Sequence, residues 1–280
     1  MSLHQHALDT LKETSRTFFI PISHLPPRLQ EAVASAYLCM RAIDEIEDHP
    51  TLDKPGKMRC LRTISQQLQA QTSVATFALN DFSTIYKHTQ ENTLPEVTLR
   101  IGEWACLAPE TIAPRIWDAT ATMAERMANW VANGWKIRTE SDLDRYTFAV
   151  AGAIGLLLCD IWAWFDGAQM NRTHAIHFGR GLQAVNILRN RVEDLARGVD
   201  FFPVGWTQEH LRQYAIRNLS LADAYARSLP PGPFVYFIQT PLALAYGTLD
   251  ALARGESKLS RSAVLKLIQN LDDNGRSLQQ

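Results

Sequence analysis

An all-α fold is the expectation for this 280-residue chain, and three observations carry it. Apolar residues recur at three- and four-residue intervals, while the every-second-residue alternation of a half-buried strand hardly occurs. With 14 glycines and 13 prolines, there are too few turn formers for a many-turned all-β protein. The breakers fall between the periodic segments: Pro26-Pro27, Pro50, Pro55-Gly56, Pro95, Gly167, Gly198, Pro203 and Pro230-Pro231-Gly232-Pro233.

In chain order the spacing predicts helices over His4–Thr17 and then Pro27–Asp48, the second ending there because Pro50 disfavours helix at His49. Lys57–Gln69 follows Pro55-Gly56, and Ser73–Thr89 precedes Pro95. Ala113–Thr139 and Leu143–Phe165 come next, then Thr173–Arg197, closed by Gly198 at a position that suits a glycine C-cap. Thr207–Ser228, Pro233–Arg254 and Ser260–Asn270 complete the set. No repeat and no long polar linker divides the chain, so a single all-helical domain over residues 1–280 is expected.

Composition narrows the function. Hydrophobic residues make up 46% and charged residues 20%, enough apolar content for a sizeable core. The net charge of −1 advertises neither nucleic acid nor a polyacidic partner. Cys39, Cys60, Cys106 and Cys159 stand far apart, which supports neither a zinc knuckle nor a disulfide scaffold and fits a reduced, cytoplasmic location. The opening residues Met1–His6 lack a signal-peptide pattern. Phe148–Cys159 is apolar throughout but shorter than the roughly 20 residues of a spanning helix, and Asp160 interrupts its continuation. A buried central helix is expected there, with no transmembrane segment.

Two acidic helix ends carry the chemistry. In Tyr37–Pro50, Arg41, Asp44 and Asp48 share one helix face, and Asp44, Glu45, Glu47 and Asp48 crowd the last turn. That is the negative end of the helix dipole, so something cationic should compensate. One reading is a solvated acidic surface with Arg41 and Arg59 as partners. The other is Mg²⁺ on the hard oxygens of Asp44 and Asp48, leaving positions for phosphate oxygens. In Gly181–Gly198, Gln183, Asn186, Asn190 and Asp194 form one polar stripe, unusual for a solvated face, where Lys and Glu dominate. It reads either as an exposed helix face or as a second set of metal-binding oxygens. Two such stripes facing each other across a bundle could hold metal and diphosphate between them.

Two further segments add weaker signals. Ala151, Gly152 and Gly155 make a small face that admits either another helix or a bulky ligand, with Tyr146 at its polar end. Ser15-Arg16 places a hydroxyl and a guanidinium before an apolar run, and arginine suits phosphate. Gly179-Arg-Gly181 fits a dinucleotide fingerprint only superficially, since no strand precedes it, and His174 and His177 read as surface histidines.

Together these blocks resemble the squalene/phytoene synthase family: Ser15-Arg-Thr-Phe18 with Leu25-Pro26, Tyr37-Leu-x-x-Arg-Ala-Ile-Asp-x-Ile-Glu-Asp48, Tyr146-x-x-x-Val-Ala-Gly-x-x-Gly155 and Gly181-Leu-Gln-x-x-Asn-Ile-Leu-Arg-x-x-x-Glu-Asp-x-x-Arg-Gly198 with Phe202-Pro203. Order and separation match over about residues 10–205, and the wording of the first motif is nearer to squalene synthases. The resemblance implies an isoprenoid-synthase helical bundle with a central cavity. It implies Mg²⁺ held by Asp44, Asp48, Asn190 and Asp194. Ser15, Arg16, Arg41, Gln183, Asn186 and Arg189 would line the diphosphate region, and Tyr146 would assist proton transfer or cation control.

Two departures matter. The second motif normally reads Asp-x-x-x-Asp, whereas here it is Asn190-Arg-Val-Glu-Asp194, one formal charge short. Ala149 replaces the usual aromatic residue in the tyrosine block. The leading expectation is a Mg²⁺-dependent transferase acting on a prenyl diphosphate, foremost farnesyl diphosphate. It would couple two molecules head to head into a presqualene diphosphate or squalene-type product. The alternatives are a single-substrate enzyme giving farnesol, a sesquiterpene or a prenylated acceptor, and a non-catalytic prenyl-lipid-binding protein. The C-terminal third matches loosely, so no NADPH site is assigned, and NADPH use, oligomeric state and peripheral membrane contact stay open.

Overall fold

A computed structural model describes residues 2–77 and 94–277, with the side chains of all of these except Arg16, Thr76, Phe77 and residues 272–277. Among the described residues there are helices and no strands, which bears out the all-α expectation. The helices are α1 (Leu3–Thr14), α2 (Arg16–Ser23), α3 (Pro27–Glu47), α4 (Lys54–Gln69), α5 (Val74–Phe77), α6 (Glu96–Leu99), α7 (Ile101–Cys106), α8 (Ala113–Ala132), α9 (Glu140–Thr147), α10 (Ala153–Asp166), α11 (Arg172–Ala196), α12 (Gln208–Ser228), α13 (Pro233–Ala253) and α14 (Arg261–Ser277). A single π-helical turn, Phe148–Gly152, joins α9 to α10. Of the segment expected to be helical over Ser73–Thr89, residues 78–89 lie outside the described residues.

Several boundaries differ from the periodicity, each for a local reason. Ser15 leaves helical geometry at φ −152° and ψ 97°, so the first expected helix divides into α1 and α2. α4 starts three residues early because the Asp53 carboxylate caps Gly56 N–H at 2.8 Å and Pro55 sits in the first turn, where its missing N–H costs nothing. α9 starts at Glu140 on a Thr139/Asp142 capping box. α8 stops seven residues before the expected Thr139, because Gly134 takes a left-handed φ of +63°.

The helices group into two compact units. The first comprises residues 1–16, 26–136 and 157–169. Its hub is α3, which touches α1, α4, α6, α7 and α8, while α4 lies along α8. Leu38, Ile43 and Ile46 are wholly buried, each stabilising the fold by about 1.5–3 kcal/mol. Three buried polar side chains of this core are paired: Ser35 Oγ donates to Trp104 O at 2.7 Å, Trp104 Nε1 to Val97 O at 2.9 Å, and Trp117 Nε1 to Ala105 O at 3.0 Å. The second unit comprises residues 17–25, 137–156 and 170–280. There α11 packs against α9, the π-turn, α12 and α13, and α14 lies on α13.

The stretch Glu140–Asp166 is the one helical segment among the described residues that is long and apolar enough to cross a membrane, and 44% of its most apolar window is buried within the protein. Ala149, Val150, Leu157, Ile161 and Trp162 are buried, while Phe148, Ile154, Leu156 and Leu158 remain half-buried.

Candidate functional site

In the first unit, α3 is buried almost all round. In its second half the residues left open are Tyr37, Arg41, Asp44 and Glu45, followed by the exposed Asp48 at the C-cap. At about 100° per residue these fall on one face, so the open strip of the hub helix is its polar strip. Tyr37 hydrogen-bonds Ser15, the residue that separates α1 from α2; burial raises the phenol pKa and that bond opposes the rise. Arg41 reaches the carboxylates of Glu45 and, at 3.9 Å, Asp44, while its buried Nε has no partner. Arg16 opens α2 beside Ser15, but its side chain lies outside the described residues.

Charge crowding is evident at this helix end. Burial first and the Asp48 carboxylate second push Asp44 up to about 7, with Arg41 opposing; water reaches 39% of the Asp44 side chain and moderates the effect. Burial, Asp48 and Asp44 push Glu47 up to about 8, against the hydrogen bond from Trp135. The cationic compensation expected at this helix end comes partly from Arg41 and partly from Lys57, whose ammonium donates to the Glu47 carbonyl at 2.5 Å. Lys57 was findable, since a lysine follows the turn that reverses the chain after α3. Trp135 was not, because 88 residues separate it from Glu47.

In the second unit, α11 starts on Asn171, whose side chain accepts from Thr173 N–H at 3.1 Å and His174 N–H at 3.2 Å. Gln183, Asn186 and Asn190 are half-buried along one stripe, and Asp194 at its end is 7% exposed. Two of these groups are engaged by arginines: Arg189 Nε donates to Asn190 Oδ1 at 3.0 Å, and Arg197 Nη2 to Asp194 Oδ1 at 2.5 Å. Arg191 lies over the Phe202 ring at 3.7 Å and pairs with Asp200 at 3.3 Å, folding the segment after α11 back along it. Tyr146 is 3% exposed and stacks on Phe201 with ring centres 4.6 Å apart. Close by, Tyr214 donates to Asp144 Oδ1 at 2.7 Å and lies 3.1 Å from Thr147 Oγ1.

The small face after Tyr146 is taken by a helix. A Cβ on Gly155 would stand 2.1 Å from Ala175 O, and one on Gly179 would stand 2.4 Å from Ala151 O, so α11 crosses this segment at backbone contact. Gly181 serves the same purpose against Leu219. The glycines of the apparent dinucleotide fingerprint are thus packing glycines within a continuous helix. His177 pairs with Asn218 at 2.7 Å and His174 stacks on Tyr225, which gives both histidines structural surroundings.

Among the described residues no group of three or more His, Cys, Asp or Glu side chains is arranged to hold a metal ion by itself. At each acidic helix end two of the oxygen-bearing side chains are the candidate ligands, Asp44 with Asp48 and Asn190 with Asp194. The donor chemistry of the first fits Mg²⁺: Asp44 and Asp48 are hard carboxylates on an open strip, with Asp44 raised first by burial and then by Asp48. The second offers one carboxylate and one amide oxygen, both already accepting from arginines.

Comparison with known proteins agrees with the fold and with the family resemblance. The profile of the squalene/phytoene synthase family matches residues 11–220. The squalene synthase of Eremothecium gossypii is 31% identical over 91% of this chain and 63% of its own length, and that of Dictyostelium discoideum is 28% identical over 87% and 62%. The chain thus spans less than two thirds of the length of these relatives. Among solved structures, a complex of TcSQS with E5700 superposes with a TM-score of 0.76 at 20% identity, covering 96% of this chain and 85% of that one. A dehydrosqualene synthase does so with a TM-score of 0.68 at 17% identity, covering 98% and 97%. This chain belongs to the squalene/phytoene synthase family.

Proposed function

We propose that the chain is a cytoplasmic, Mg²⁺-dependent prenyltransferase that ionises a prenyl diphosphate, foremost farnesyl diphosphate. It couples two molecules head to head into a presqualene diphosphate or squalene-type product. The observation that carries this reading is the open polar strip of α3, which keeps Arg41, Asp44 and Asp48 together in a chain of this family. Asp44 and Asp48 are the residues that would hold Mg²⁺, with Asn190 and Asp194 as a weaker second pair. Bound there, the ion would neutralise charge on the departing diphosphate. As the family resemblance implies, Arg41 with Ser15 and Arg16, and separately Arg189 with Gln183 and Asn186, would contact diphosphate oxygens. The half-buried Phe148, Ile154, Leu156 and Leu158 offer apolar surface to the prenyl chain and exclude water. The Tyr146 phenol, held against Phe201, carries the proton-handling role.

Asn190 favours a second reading. Its side-chain oxygen is neutral and already accepts from Arg189, which suits an enzyme that handles one diphosphate and releases farnesol or a cyclised C15 product. One experiment separates the two: farnesyl diphosphate and Mg²⁺, with and without NADPH, followed by gas chromatography–mass spectrometry. A C30 product supports coupling, and its reduction to a hydrocarbon only with NADPH adds the reductive half. A C15 alcohol or hydrocarbon alone, unchanged by NADPH, supports the second reading. No diphosphate release from C10, C15 or C20 diphosphates, with EDTA making no difference, overturns both in favour of a non-catalytic binding protein.

A further inference from the structure

The first acidic helix end has a support that no motif announces. α8 closes with Gly134 N–H donating to Val131 O and Trp135 N–H to Trp130 O, both at 3.0 Å, the paired bonds of a Schellman stop. Gly134 takes the left-handed position, and Trp135 follows at φ +48°, the one non-glycine residue in that region among the described residues. A bulky residue there is strained and persists where its surroundings over-determine it.

Those surroundings are a buried set around the last residue of α3. The Trp135 indole, 8% exposed, donates its N–H to the Glu47 carboxylate, 5% exposed. Lys57, 7% exposed, donates to the Glu47 main-chain oxygen at 2.5 Å. The ammonium groups of Lys54 and Lys57 lie 5.8 and 5.7 Å from the indole centre. Glu47 is therefore held at its carboxylate from the end of α8 and at its carbonyl from α4. Its neighbour Asp48 is exposed and shares a side-chain hydrogen bond with Glu47, and Asp44, one turn back, is half-buried.

We propose that Trp135 is a positioning residue for the first carboxylate motif. By anchoring Glu47 inward it sets the rotation of the last turn of α3, and with it the placing of Asp44 and of Asp48, whose side chain hydrogen-bonds Glu47. Glu47, about 60° from Asp44 and 100° from Asp48 around the helix axis, has a different task from either. This role rests on the reading that Asp44 and Asp48 hold Mg²⁺.

The test uses Trp135→Phe, which keeps the ring beneath the lysines and removes the N–H. Lys57→Met serves as a second variant should the first fail to fold, and Asp48→Ala as the reference for the metal site. Mn²⁺ is titrated calorimetrically into the whole chain with inorganic pyrophosphate present, and Mg²⁺ half-saturation is measured in turnover. Trp135→Phe is expected to bind Mn²⁺ about tenfold more weakly, which is about 1.4 kcal/mol. Its Mg²⁺ half-saturation should rise while kcat at saturating Mg²⁺ stays within threefold. Lys57→Met should move the same way by a smaller factor. A merely structural role would lower the unfolding temperature and the active fraction without moving Mg²⁺ half-saturation, and that result overturns the proposal. So does Mn²⁺ affinity unchanged in both variants while Asp48→Ala loses it; that outcome leaves the metal site standing. Mn²⁺ affinity unchanged in Asp48→Ala overturns the metal reading and this role with it.

Discussion

Replacing Gly155 with alanine tests how the tyrosine block is held. The added Cβ would stand 2.1 Å from the carbonyl oxygen of Ala175 and 2.6 Å from its carbon, both backbone atoms of α11. Ordinary contact begins near 3.4 Å, so the two helices must part by about 1.3 Å along that line. Overpacking costs about 1–3 kcal/mol, and the upper end applies where backbone has to move. Better helix propensity offsets up to about 1 kcal/mol of that. A net loss of about 2 kcal/mol, at about 2–4 °C per kcal/mol for a chain of this size, lowers the melting temperature by about 4–8 °C. Gly152→Ala is the control, because its Cβ would stand 3.2 Å from side-chain carbons of Ile176 and Phe148 and meet backbone, the Ile176 carbonyl oxygen, only at an ordinary 3.5 Å. It should cost less than about 1 kcal/mol. Circular dichroism melts of the three proteins decide the matter. A Gly155→Ala protein as stable as the wild type, or a Gly152→Ala protein that is the less stable of the two, would refute the backbone-contact reasoning.

Four further outcomes are expected. Asp48→Ala should abolish Mg²⁺-dependent diphosphate release, and Asn190→Asp should lower the Mg²⁺ needed for half-maximal rate by restoring a charge; normal turnover in Asp48→Ala would remove the metal assignment. Asp142 accepts from the Thr139 hydroxyl, the Arg138 N–H and Arg145, which hold its pKa down to about 2. Its folded value lies below the unfolded value of about 3.9, so its stabilisation is complete above that pH and fades as pH falls towards 2. Melting temperatures of wild type and Asp142→Asn should therefore differ at pH 6 and converge near pH 2, and a gap independent of pH would count against the capping role. Tyr214→Phe removes the 2.7 Å bond to Asp144 and should cost about 1.5–3 kcal/mol in denaturant unfolding, with an unchanged midpoint as the contrary result.

Helix existence and chemical vocabulary were legible in the sequence because both are local. Periodicity of 3.6 marks a buried face without knowing what covers it. Pro50 and Gly198 stop helices through their own backbone geometry, and the chain leaves helix beside both. The sharing of one face by Arg41, Asp44 and Asp48 follows from helical geometry alone, and the structure leaves that same face open. Where a side chain decided the boundary, counting apolar positions missed it: Asp53 and Thr139 start helices earlier than periodicity does, and Gly134 ends one earlier.

What the tertiary structure alone decided are the pairings between distant residues. Ala151, Gly152 and Gly155 admitted a ligand or a helix equally well, and only the approach of α11 to backbone contact settled on the helix. The π-turn after Tyr146 inserts one residue into a run that reads as ordinary helix, so no period betrays it. Glu47 looked like one more carboxylate in an acidic turn. Its inward orientation depends on Trp135, and burial there rests on how α3, α4 and α8 pack. A sequence states which groups are present and in what local order. Which buried donor meets which buried acceptor is settled by long-range packing, because an unpaired polar group inside the core costs more than any local preference can return.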